Sequence, residues 1–142
     1  MLEDLSILEI SLVILAGVIL LILALCKAKL DRSQRLNKSH YQKAWQGLQI
    51  HLKQPQTYPL AIIEADKLLD KALKEAGYKG DSMKDRLVSA QKHLSDSQSL
   101  WRAHKLRNRL VHEMNVTLSV KETKQTLEAF QKGLKNIGAL PR

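Results

Sequence analysis

Between His104 and His112 the chain sets two arginines, an asparagine and two histidines into nine positions, inside the segment Ser99–Glu113 (SLWRAHKLRNRLVHE). Histidine exchanges a proton near neutral pH, and the forked guanidinium of arginine holds carboxylate or phosphate oxygens. Such residue types suit acid–base work on an anion, or its recognition. Arg107, Asn108 and His112 spell R-N-x-x-x-H. His104 and His112 stand eight apart, and the one acid near metal-ligand spacing, Glu113, faces elsewhere on a helix, so no metal site is expected. Glycine-rich phosphate loops, serine nucleophile elbows and paired-cysteine motifs are missing, and no cofactor is implied.

The segment needs a helix to position it. At about 100° per residue, Ala103, Leu106, Leu110, Val111 and Met114 form an arc expected to face a core, with Arg107 within or beside it. Trp101, Asn108 and His112 share another flank, and His104 falls between Arg107 and Asn108. An arginine turned toward an apolar arc is costly unless paired. Glu64, Asp66 or another acid could pair with Arg107 as a core staple, while Asn108 and His112 could bond a loop or a backbone carbonyl.

Charge divides the chain sharply. All 23 Lys and Arg follow Cys26, against 11 acids, which leaves that part at +12, whereas the first 26 residues carry −3. The mean hydropathy of −0.24 hides this split. A domain so basic attracts polyanions such as RNA, or an anionic membrane face. The single cysteine, Cys26, excludes an intrachain disulfide and makes a cysteine-based metal site unexpected.

Residues 10–26 carry no charge, and 7–26 are long enough to cross a hydrocarbon core of roughly 30 Å as a helix. They are expected to form a transmembrane helix after a short acidic N-terminus at 1–6. A cleaved signal peptide would need a positive leading region and a small-residue cleavage site. A lipobox reading of Leu23–Cys26 is opposed by the leucine before the cysteine and by the acidic start. Lys27, Lys29, Arg32, Arg35 and Lys38 follow the span, so residues 27–39 read as a basic juxtamembrane linker. By the positive-inside tendency the N-terminus lies outside and the remaining domain in the cytoplasm.

Beyond the linker, apolar residues recur at helical spacing in five stretches. The first holds Tyr41, Ala44, Trp45, Leu48 and Leu52, and ends at the Pro55–Pro59 break. The second runs from Leu60 to Ala76 with Gly77 as its stop, and a short third follows a capping-box variant at Ser82–Asp85. The Ser99 segment is the fourth; the fifth opens with a capping box at Ser119–Glu122 and stops at Gly138. With no strand alternation, the economical architecture is all-α: a single transmembrane helix, then a small antiparallel bundle of four to five helices over 40–138, with a tail at 139–142.

An all-helical domain of this size with R-N-x-x-x-H near its end, and Trp101 upstream, resembles the HEPN superfamily over roughly residues 40–138. The resemblance implies a metal-independent endoribonuclease acting on RNA phosphodiesters. His112 would be the general acid or base, Arg107 would stabilise charge growing on the phosphate, and Asn108 would orient His112. His104, Lys105 and Arg109 would bind the substrate. On an ideal helix Arg107 and His112 diverge by about 140°. The resemblance therefore implies a homodimer that brings two motifs into one cleft. The rival expectation is a non-catalytic interaction or nucleotide-binding module, tethered to the bilayer and serving a protein partner. The two differ at one point. An enzyme exposes Arg107 and His112 together; a scaffold pins them on internal carboxylates.

Overall fold

The computed structural model describes residues 7–34 and 36–142, side chains at 29, 30 and 32–34 excepted. The short acidic N-terminus at 1–6 lies outside the described residues. Among those described the chain is all helical, with six α-helices and no strand.

Helix α1 spans Ile7–Gln34. Its first 22 residues, Ile7–Ala28, have a mean hydropathy of 2.9 and none is buried against the rest of the chain. At 1.5 Å per residue they reach about 33 Å, so the helix is long and apolar enough to cross a bilayer. The helix does not end at Cys26, where the linker was expected. It continues through the basic segment to Gln34, because residues 27–34 contain neither glycine nor proline and are mostly good helix formers.

The bundle follows almost at once. Leu36 is already in its core at 5 % exposure, and Asn37 caps α2 (Lys38–Leu48) by accepting the amide of His40 at 3.1 Å. Two short 3₁₀ turns lead into α3 (Tyr58–Glu75), with Pro59 in its opening turn. Helix α4 (Met83–Ala90) starts at a complete capping box between Ser82 and Asp85. Helix α5 covers Ser97–His112 under an Asp96 cap, and α6 covers Val120–Asn136. At the start of α6 the Ser119 hydroxyl accepts the Glu122 amide at 3.1 Å, but only that half of the expected box is formed. Gly77 and Gly138 adopt φ near +83 and +84 after α3 and α6, a left-handed stop that β-carbons disfavour.

Helix α3 is the central element and packs against α2, α4, α5 and α6. Ile62, Leu69 and Leu73 on its inner face meet Tyr41, Leu87, Leu100, Phe130 and Leu134, all essentially inaccessible. Burying a side chain of this size contributes roughly 1.5–3 kcal/mol each. Gly133 lets α6 approach α5 closely, since a β-carbon there would lie 3.1 Å from Leu100 Cδ2. Arg86 ties α4 to α3: its Nε and Nη2 reach the Asp70 carboxylate at 2.7 and 3.0 Å, and Nη1 donates to the Gly80 carbonyl.

One part of the expected core is corrected. Leu106 and Ala103 are buried and Leu110 is half-buried, but Val111 is 49 % and Met114 92 % exposed. Helix α5 ends at His112, and its last turn has run past the helices that cover the first three.

Candidate functional site

Asp66 lies on the apolar face of α3, one turn from Ile62 and from Leu69, and its side chain is only 4 % exposed. An unpaired carboxylate so placed would be strongly unfavourable. Helix α5 supplies what it needs from three positions on adjoining turns: His104, Arg107 and Asn108.

The four side chains close a ring. His104 Nδ1 lies 2.7 Å from Asp66 Oδ1; a carboxylate only accepts, so Nδ1 donates. Asn108 Nδ2 stands 3.4 Å from His104 Nε2, and Arg107 Nη1 donates to Asn108 Oδ1 at 3.0 Å. Arg107 Nε returns to Asp66 Oδ2 at 3.3 Å. This last contact is an ion pair rather than a directed hydrogen bond, since the buried Nε has no hydrogen-bond acceptor. The opposite orientation of the Asn108 amide would set two donors face to face at Arg107. With the amide as described, Asn108 Nδ2 is the donor toward His104 Nε2, and the ring closes around the Asp66–Arg107 ion pair. Trp101 covers it edge-on, with ring centroids 6.3 Å apart.

The expected site residues therefore separate. Arg107 and Asn108 turn inward, half-buried, into this ring, and Asn108 supports His104 rather than orienting His112. His104, expected at the substrate, is buried at 8 % exposure. His112, the last residue of α5, is exposed, and its side chain makes no hydrogen bond or ion pair with another described residue. Within one chain Arg107 faces Asp66 while His112 is exposed at the helix end.

Lys105 and Arg109 lie on another side of α5, where they line an open groove of about 690 Å³ between α5 and α6. Arg109 is paired there with Glu113 at 3.1 Å, both side chains more than half exposed. Arg102, Lys132 and Lys135 share the groove with Asp96, Glu122 and Glu128, so its walls carry both signs of charge. Among the described residues, no three His, Cys, Asp or Glu side chains gather as a metal ion would require.

Asp66 and Trp101 complete the cluster around His104. An acid on the apolar stripe of α3 is the signal for Asp66, and the i, i+3, i+4 spacing of 104, 107 and 108 is the signal for its partners. Comparison with protein-family models, curated proteins and solved structures returned no match.

Proposed function

We propose that this chain is a membrane-tethered, non-catalytic helical interaction module, and that its R-N-x-x-x-H segment is a structural staple. One observation carries the reading: Arg107 and Asn108 are used up in a closed ring with Asp66 and His104, while His112 stands apart. A guanidinium committed to a buried carboxylate is poorly placed to receive charge developing on a substrate phosphate. The apolar α1 supports the tether, and the basic residues after it support a cytoplasmic bundle.

A second reading is favoured by the exposed, unengaged His112. In a HEPN-type endoribonuclease built from two copies, His112 of each would meet the opposing motif, with exposed Val111 and Met114 beside it at the contact. RNA would then be the substrate, and Lys105 and Arg109 would hold its backbone.

Stability separates the two. Trp45 and Trp101 both belong to the bundle, so tryptophan fluorescence of the full chain in detergent follows its unfolding. Arg107→Ala leaves the Asp66 carboxylate without its cation, and breaking a buried pair costs roughly 3–5 kcal/mol. His112→Ala, at an exposed helix end, is expected within about 0.5 kcal/mol of the parent. Equal stability of both variants, together with loss of an RNA-cleaving activity, would refute the module.

A further inference from the structure

A second concavity, of about 260 Å³, opens where α2 begins and α6 ends. Lys38, Lys135 and Arg142 line it, with His93 and Tyr78 on one wall and no aspartate or glutamate among its lining residues. Lys38 is the first residue of α2, whose first turn carries no acid, so the positive end of that helix adds to the same field. The C-terminal end of α6 brings its negative pole to the same cleft, partly quenched by its own last turn. The carbonyls of Gly133, Leu134 and Lys135 are taken by the amides of Ile137, Gly138, Ala139 and Leu140. The cleft is cationic, and smaller than the pockets that enclose drug-sized ligands.

Its place in the chain decides which anion reaches it. The apolar stretch of α1 stops at Ala28 and the helix at Gln34, a further rise of about 9 Å. From Gln34 to Lys38 four peptide units extend at most about 14 Å, and Leu36 between them is anchored in the core. If α1 spans a bilayer, the cleft never leaves the neighbourhood of the headgroups. So short a joint holds them at an effective concentration on the order of millimolar. In the sequence Lys27, Lys29, Arg32 and Arg35 stand between the apolar stretch and Lys38. RNA and free phosphate have no such tether.

We propose that this cleft binds the phosphate of an anionic phospholipid headgroup, with Lys38 and Lys135 as its principal contacts, and so fixes the bundle against the bilayer. The inference rests on the membrane-spanning part of the proposed function. The test uses the full chain in nanodiscs of phosphatidylcholine with a minor fraction of phosphatidylglycerol, after alkaline extraction has shown whether it is inserted. Native mass spectrometry of the released protein counts the lipids retained. The expected result is one phosphatidylglycerol held in preference to phosphatidylcholine. Lys38→Gln and Lys135→Gln should each lower that preference about fivefold, the contribution of one basic residue near a charged leaflet. Lys121→Glu with Lys124→Glu, at the far end of α6, should leave it unchanged.

An extractable chain would remove the membrane span and the headgroup site together. An inserted chain with no lipid preference would overturn the site alone. Equal losses at Lys121 and Lys124 would mean diffuse attraction and also overturn it. So would saturable binding of inorganic phosphate, or of an RNA oligonucleotide, through Lys38 and Lys135 in pure phosphatidylcholine.

Discussion

Asp66 is the residue on which the candidate site turns, because one carboxylate orders three side chains of another helix. Asp66→Ala would strand Arg107 and His104 against an apolar wall, and the expected loss is roughly 3–5 kcal/mol. That is a large share of the 5–15 kcal/mol typical of a whole domain, and a denaturant midpoint read by tryptophan fluorescence would register it. Asn108→Ala removes one hydrogen bond from the Arg107 guanidinium and one to His104 at a half-buried position, and should cost about 1–3 kcal/mol. The need of Arg107 for an acid is legible in the sequence, since the wheel sets it beside an apolar arc and Asp66 is one of the acids able to pair with it. The burial of His104 was not. A wheel gives directions around one helix, and only the crossing of α3 and α5 decides which directions are covered. The Arg86–Asp70 pair was missed for the same reason, as no periodic pattern links two residues sixteen apart.

The helices themselves were plainer, since apolar spacing, proline breaks and glycine stops locate all five bundle helices. Where the reading failed, at Val111, Met114 and the linker, the missing fact was where a neighbour stops or a helix runs on. The caps make predictions of their own. At α4 the Asp85 carboxyl is held below its usual range, chiefly by the Ser82 hydroxyl and then by the Ser82 amide. At α5 the Ser99 amide and then its hydroxyl hold Asp96 down in the same way. A depressed folded pKa contributes stability above the unfolded value of 3.8, which is lost as pH falls through the folded value. The bundle should therefore weaken below about pH 4. Asp85→Asn should flatten that loss when midpoints at pH 5 and pH 3 are compared. Tyr41 works in the opposite sense. Burial, and then its 2.6 Å hydrogen bond to Glu75, raise its pKa, so its contribution is present at neutral pH and lost in strong alkali. Tyr41→Phe should reduce the alkaline loss. Gly80, at φ +151, has Asp85 pressed against the place of a β-carbon. Gly80→Ala should lower the thermal midpoint by several degrees, because a loss of 1 kcal/mol shifts Tm by roughly 4–8 °C in a domain of this size.

At the scale of the whole molecule, one apolar helix joins a strongly basic bundle through a joint of three residues. Leu15→Lys, near the middle of the apolar stretch proposed to span the bilayer, should cost about 2.5–3.5 kcal/mol of insertion and release chain into the alkaline extract. The proposed tether bears on the central claim, since a module that acts by position needs no chemistry of its own. The most direct test is RNA cleavage by the full chain, reconstituted in bilayers and held in EDTA, beside Arg107→Ala and His112→Ala. The closed ring around Asp66 predicts intact RNA, with Arg107→Ala losing stability and His112→Ala unchanged. RNA fragments ending in 2′,3′-cyclic phosphate, made by the parent and by neither folded variant, would contradict the account.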